Sequence, residues 1–446
     1  MLKRGLVIAT AALMLVAACS SSKKSGSSAT TAGATATTAG GATATTGAAT
    51  AATIAGHTTT GVTPTEVHFG GILYKAFYGD AAIGFQARLK AQNDKGGVYG
   101  RKLVLDTTID DNQTADTDLN AAKTLVQQDN VFMVAPVMTA AFGGANYLNS
   151  AKVPFSGWSI EPRWCGLMWG FGFEGNDCDQ ATAPKTGDFV AAEQKLFPDG
   201  NAKGKAIVLT AEDNDSARAA VQDFAKIWQA DGARVVLVDT SIPSPPAVVG
   251  DFTPFVQKIM TSNNGGPPDL VEMVNSVSDT IGLYKKLEQL GYKGVAQGFT
   301  NYDPRLLTGA TKGLVTETQF APYEDASSLP RLQQMIADMK AYSPSTALGL
   351  AVAAGYWTAD FIIQGLQKAG QDLSRESFYN AVNGGFTFDT QGVLLPVQWP
   401  QGHTWNHVGL AFVQDDGDHF GVPVHLQDVP VITNPGYGGT GHNGPP

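Results

Sequence analysis

Residues 67–110 read VHFGGILYKAFYGDAAIGFQARLKAQNDKGGVYGRKLVLDTTID. Val67 to Leu73 is a short apolar run that ends in a loop. From Gly79 to Lys95, Ala82, Phe85 and Leu89 recur at helical spacing, and Gly96-Gly97 stops the pattern. Lys102 to Ile109 is a second strand pattern, so the stretch predicts strand, helix, strand. The alternation continues outward with a helix over Ala115 to Asp129, whose Leu119, Ala122, Leu125 and Val126 share a face, and a strand over Val131 to Val137. A helix over Ala140 to Ala151 then leads into Val153 to Trp158. After an aromatic stretch the pattern restarts: strand Lys205 to Ala211, then a helix from Ser216 to Asp231 with a buried stripe of Ala217, Val221, Phe224 and Trp228. Arg234 to Asp239, Phe252 to Thr261, Asp269 to Val274, Asp279 to Leu290 and Gly294 to Thr300 extend it. Two runs of βα units predict an α/β fold with two doubly wound parallel sheets, each covered by helices on both faces. Such sheets bind ligands beyond the carboxyl ends of their strands.

Further on, Leu329 to Tyr342 and Ala347 to Lys368 read as helices, and Gly392 to Val424 alternates as β with turns at Pro400-Gln401-Gly402 and Asp416-Gly417. A length of 446 residues leaves room for two ordinary domains plus tails. Charged residues make up only 16%, which is below the usual quarter, and Gly, Ala, Ser and Thr take their place. Thirty Lys and Arg against 40 Asp and Glu give a net charge of -10, the wrong sign for a nucleic-acid partner.

The N-terminal stretch accounts for part of this composition. Lys3 and Arg4 precede an uncharged apolar run from Leu6 to Ala18, the pattern of a secretory signal over residues 1–18. Val16-Ala17-Ala18-Cys19 resembles a bacterial lipobox, which makes Cys19 the expected lipidated N-terminus and the lipid the expected hold on the membrane. Residues 19–61 are almost entirely Ala, Thr, Gly and Ser after the Cys, too poor in apolar surface to offset ordering entropy, and are expected to be a flexible tether. The Gly/Pro-rich residues 433–446 are expected to be a disordered tail.

Cys165 and Cys178 remain, and in an exported chain they predict a disulfide. The alternative, a metal pair, lacks further ligands at metal spacing. Gly170 to Gly175 satisfies G-x-G-x-x-G, but its aromatic flanks lack the strand-to-helix context of nucleotide binding. Glu212-Asp213-Asn214-Asp215-Ser216 lacks the Gly and distal Glu of a calcium loop; Asp215 or Ser216 is expected to cap the helix beginning at Ala217, and a ligand contact from this loop stays open. Asp110-Asp111 is assigned to a loop. His403 and His407 stand i, i+4 apart in a turn-rich stretch and are not assigned to a metal. No nucleophile, base or phosphate-binding motif stands in its required context, so the reading is a protein that is not an enzyme, with no catalytic residues, metal or cofactor. Aromatic residues are more informative: Tyr74, Phe77 and Tyr78 follow the first strand, and Trp158, Trp164 and Trp169 lie at or after another, where a cleft would recognise an apolar or aromatic ligand.

Tyr78-Gly79-Asp80, Lys95-Gly96-Gly97-Val98-Tyr99-Gly100-Arg101-Lys102-Leu103, Asp110-Asp111 and the junction from Ala121 to Val131 resemble the branched-chain amino-acid-binding (Leu/Ile/Val-type) family of ABC-transporter solute-binding lipoproteins. The resemblance runs from about Glu66 to Val424. It implies a type I periplasmic-binding fold, two α/β lobes joined by three crossings and closing on one small ligand. The lobe assignment it implies is 62–184 and 325–388 for lobe 1, 185–324 for lobe 2, and 389–432 for a lobe-crossing hairpin region. It also implies an ABC permease and ATPase as partners, and a place on the outer face of the cytoplasmic membrane.

By the same resemblance, Tyr78, Met138, Thr139, Ala140, Trp158 and Ser159 are ligand contacts of lobe 1, with Thr139 and backbone N–H groups as a cradle for a carboxylate. Asp215, Val277, Thr300 and Tyr302 occupy the contact positions of lobe 2. The family's ammonium-binding Glu is replaced by Thr300, and two aromatic positions become Asp215 and Val277, so Asp215 or Asp303 would have to substitute for the Glu in pairing an ammonium. The expected solute is therefore a small organic molecule with an apolar or aromatic body, with or without a carboxylate. A ligand-sensing lipoprotein without a transport role, and a receptor of the leucine type, are the alternatives that stay open.

Overall fold

In the computed structural model the described residues are 56–176, 178, 194–299, 301–404 and 409–428. The predicted signal, Cys19, most of the tether and the C-terminal tail lie outside them.

The first lobe is built on β1 (Glu66–Leu73), α1 (Lys75–Tyr78), α2 (Ala81–Asn93), β2 (Lys102–Asp110), α3 (Ala115–Gln127), β3 (Met133–Met138), α4 (Ala145–Ser150), β4 (Phe155–Gly157) and β5 (Gly170–Gly172). Its five strands run in the order β2-β1-β3-β4-β5, all parallel. The central strand β3 is buried at every position, as a parallel strand covered on both faces must be. Thr114 caps α3 through its side chain, which accepts from the Thr117 N–H.

Chain order then supplies the second lobe with β6 (Ala206–Glu212), α5 (Asp215–Ala230), β7 (Arg234–Ile242), α6 (Thr253–Met260), β8 (Leu270–Val274), α7 (Val277–Gln289), β9 (Val295–Gly298) and β10 (Val315–Thr318). The chain returns to the first lobe for α8 (Pro330–Tyr342), α9 (Leu350–Ala369) and α10 (Arg375–Asn383), and a two-stranded ribbon follows, β11 (Thr387–Phe388) with β12 (Val397–Gln398). The hairpin of β13 (Ala411–Asp415) and β14 (Phe420–Val424) goes back to the second sheet, whose order is β14-β13-β10-β9-β8-β6-β7. There β13 lies antiparallel to β10, so the sheet is parallel except at the edge that the late hairpin supplies. This is the expected α/β fold with two doubly wound lobes.

α9 is buried along nearly its whole length against α2. Glycine permits the contact: a Cβ on Gly355 would stand 1.9 Å from the Ala81 carbonyl, and one on Gly84 2.0 Å from the Val352 carbonyl. Beside that crossing, the buried Asp360 carboxylate accepts from Arg88 Nε at 2.7 Å, from Arg331 Nη2 at 2.5 Å and from Gln364 Nε2 at 2.9 Å. The charge is paired on both oxygens.

The cap expected before Ala217 is corrected. The helix expected at Ser216 begins at Asp215, and Asn214 caps it, its Oδ1 accepting from the Ala217 N–H at 2.8 Å. The G-x-G-x-x-G stretch is β5 and the turn after it; a Cβ on Gly172 would meet the Gly175 carbonyl at 2.3 Å. Asp110 and Asp111 hold a loop, their Oδ1 atoms accepting from the N–H groups of Asn112 and Gln113. His403 is buried between the Asn383 side chain and the Gly170 carbonyl, and burial pushes its imidazole down to about 3, so it is neutral. His407 lies outside the described residues. Cys165 and Cys178 form a disulfide, with their Cα atoms 4.9 Å apart. The reading missed β10 and α10, the latter opened by a capping box between Ser374 and Ser377.

Candidate functional site

A cleft of about 210 Å³ lies between the lobes at the carboxyl ends of their strands. On the first lobe, α1 follows β1 and brings Tyr74, Phe77 and Tyr78 to the wall. Their rings form a run, with centroids 5.0 Å apart for Tyr74 and Phe77 and 6.2 Å for Phe77 and Tyr78. Trp158, just past β4, meets Tyr78 edge-on at 5.9 Å. Its indole N–H donates to Gln319 Oε1 at 2.8 Å, which ties the wall to the crossing that follows β10. On the second lobe, Phe224 of α5 and Phe299, just past β9, lie with centroids 4.9 Å apart. The cleft is thus aromatic on both sides.

The lobes also touch. The Ser216 hydroxyl donates to the Ile160 carbonyl at 3.5 Å, and the Leu350 N–H at the start of α9 donates to the Tyr302 carbonyl at 2.9 Å.

Four acids line the cleft, Glu174, Glu212, Asp223 and Asp303, and the two glutamates are the buried ones. Glu212 is the last residue of β6; its Oε1 accepts from the Ser276 N–H at 2.7 Å, and the Asp279 carboxyl lies against it. Burial, with the Asp279 charge adding to it, outweighs the Ser276 hydrogen bonds and pushes Glu212 up to about 7. Across the cleft, burial raises the Tyr78 hydroxyl above its usual range and the Glu212 charge raises it further, so the two lobes' groups feel one another. Glu174, in the turn after β5, is 5% exposed, and burial raises its carboxyl well above the usual range against a hydrogen bond from Trp158. Its Oε1 finds no hydrogen-bond partner among the described residues. Such an atom is costly to bury unless something else supplies the donor.

Six of the ten predicted contacts line the cleft: Tyr78, Ala140, Trp158, Ser159, Val277 and Tyr302. Met138 and Thr139 do not. Met138 closes β3 behind the wall, and the Thr139 hydroxyl donates to Asp111 Oδ2 while accepting from the Ala141 N–H at 3.0 Å, so it forms no cradle facing the cleft. Asp215 opens α5, and its neighbours Asn214 and Ser216 line the cleft; Thr300 lies outside the described residues. Tyr302 lines the wall, but its hydroxyl donates to Glu324 Oε2 at 2.6 Å. Asp303, named as a substitute for the missing Glu, is held by Arg305 at 2.9 and 2.7 Å.

The residues that sequence reading missed are Glu174, Asn275, Phe299 and Asn301, with Glu212 seen only as part of a loop. Glu212, Asn275, Phe299 and Asn301 end or follow β6, β8 and β9, so the strand-end rule could have found them. Glu174 carries no such signal, because the turn that presents it is irregular.

The family model of the periplasmic binding proteins matches residues 73–418. The chain belongs to the periplasmic binding protein family. Periplasmic binding proteins of known structure share its fold. A fatty acid ABC transporter substrate-binding protein from Thermomonospora curvata matches with a TM-score of 0.66 at 17% identity, covering 83% of this chain and 97% of its own. A solute-binding protein from R. palustris in complex with benzoate matches at 0.65 and 13% identity, over 83% of this chain and 98% of its own. A leucine binding protein from Thermotoga maritima matches at 0.65 and 17% identity, over 81% and 100%. No curated protein matches the chain. These folds agree with the likeness of residues 78–131 to the branched-chain amino-acid-binding group, and its type I periplasmic-binding architecture is the one seen here. Among the described residues, no helix is long and apolar enough to cross a membrane, and no group of three or more His, Cys, Asp and Glu is placed to hold a metal ion.

Proposed function

We propose that this protein is the extracytoplasmic solute receptor of an ABC importer, anchored through a lipid on Cys19 and capturing one small organic solute with an apolar or aromatic body. The observation that carries the reading is the inter-lobe cleft of about 210 Å³ with aromatic side chains on both faces. Tyr78, Ala140, Trp158, Ser159 and Val277 are its proposed contacts, with residues 62–184 and 325–388 as one lobe and 185–324 as the other. A solute that touches both faces stabilises the closed form by its differential affinity for it, and the closed form is what a permease would recognise. Of the alternatives, a leucine-type receptor is disfavoured by the Thr139 hydroxyl, which donates to Asp111 and so is withheld from an amino-acid carboxylate.

Deletion of the gene tests the reading. Uptake of the solute that stabilises the purified full chain in thermal-shift screening should be lost, and unchanged uptake would refute the transport role. A Cys19→Ser variant should fail to incorporate palmitate and should leave the membrane fraction.

A further inference from the structure

The charged side chains of the described cleft lining are mostly acids, Glu174, Glu212, Asp223 and Asp303 against Arg305 alone. Glu174 and Glu212 are acids from opposite lobes, and the atoms of lining residues that lack a partner among the described residues, Glu174 Oε1 and Asn275 Oδ1, are both acceptors. Arg305 is the one cation among the described lining residues, and both its contacts with Asp303 are made within the protein. Beside the acids stand Tyr74, Phe77, Tyr78 and Trp158, whose ring faces are negative.

A carboxylate in this cleft would meet the Glu212 carboxylate and find, among the described lining residues, only Arg305 as a cation, already paired with Asp303. A purely apolar solute would leave the Glu174 oxygen without a donor. A protonated amine supplies what both lack: donors for the carboxylates and a positive charge for the ring faces.

We propose that the cleft selects an organic cation, a protonated amine on an apolar or aromatic body, with Glu174 of the first lobe and Glu212 of the second as its counter-charges. The proposal rests on the solute-receptor reading of the cleft and deepens it. Because the two acids belong to different lobes, the cation bridges them and so favours closure.

The test is titration calorimetry of the purified full chain at pH 7.5 with matched probes that differ only in head group. Phenethylamine, 2-phenylethanol and 3-phenylpropionate form one set; isoamylamine, isoamyl alcohol and 4-methylvalerate form another, and leucine is added. Each amine is expected to bind at least about tenfold more tightly than its alcohol and its carboxylate, and Glu174→Gln and Glu212→Gln are each expected to weaken it by about tenfold or more. A carboxylate or leucine as the tightest probe, no binding by either amine, or an amine affinity unchanged in both variants would overturn the proposal. The two readings fail separately. If a carboxylate binds and its uptake depends on the gene, the receptor stands and the charge assignment falls; if an amine binds but its uptake survives deletion, the reverse holds.

Discussion

Replacing Glu212 by Gln should stabilise the empty protein, and only above acidic pH. An unfolded glutamate titrates near 4.5, whereas burial at the end of β6 pushes Glu212 up to about 7. The groups around it explain the direction: Asp279 of α7 adds negative charge, Tyr74 and Tyr78 of the opposite lobe supply none that is positive, and the Ser276 N–H and hydroxyl only partly compensate. Between those two pH values the folded state binds more protons than the unfolded one, so the raised pKa contributes stability that is fully present below pH 4.5 and is lost as pH rises to about 7. At about 1.36 kcal/mol per pH unit, the loss is about 3 kcal/mol at pH 8. Glutamine keeps an oxygen for the Ser276 N–H and has no proton to lose. Urea melts of the two proteins should therefore nearly coincide at pH 4.5 and separate progressively up to pH 8, the variant being the more stable. A stability difference that does not change with pH, or a variant weaker than wild type at pH 8, would refute the reasoning. If the variant also loses amine binding, the acid is a site residue kept at the expense of stability.

Other perturbations test the framework. Replacing both Cys165 and Cys178 by Ser removes a bridge between residues 13 apart and should lower stability by about 3 kcal/mol, read as a shift in urea midpoint; an unchanged midpoint would mean that the loop is held by its packing alone. Asp360→Ala leaves Arg88 buried without its counter-ion and should cost about 3–5 kcal/mol, with Asp360→Asn less damaging; equal melts for wild type and Asp360→Ala would contradict the triad. Gly355→Ala places a Cβ 1.9 Å from the Ala81 carbonyl and should force α9 off α2 at a cost of roughly 1–3 kcal/mol or more, so a melting temperature at or above wild type would show that the crossing is not close-packed.

The sequence carried the βα rhythm well because its signals are local. Val67 to Leu73 is apolar enough to be a strand in any context, and Gly96-Gly97 ends α2 by its own φ, which is positive at both residues. Burial of Phe85 and Leu89 follows from their helical spacing. Signals that depend on neighbours were weaker. β5 is three residues with two glycines and looks like a nucleotide motif, and β10 is a four-residue strand made polar by two threonines and a glutamate, buried because β9 and β13 flank it.

For the site, residue type and strand-end position pointed to Tyr74, Phe77, Tyr78 and Trp158, which line the cleft, but equally to Trp164 and Trp169, which are buried in the core against Phe155 and Tyr379 instead. The role of Thr139 was not legible: whether its hydroxyl faces a ligand or Asp111 depends on a residue 28 positions earlier in the chain. Glu174 and Glu212 show the same limit more sharply. Sequence alone determined that the chain alternates strand and helix in two runs and that its N-terminal stretch has the pattern of an exported lipoprotein, while the family resemblance set Thr300 where a Glu is expected. Only the tertiary structure decided that two buried acids, one from each lobe, share the cleft, because the charge a ligand meets is the sum over side chains that folding brings together from distant strands.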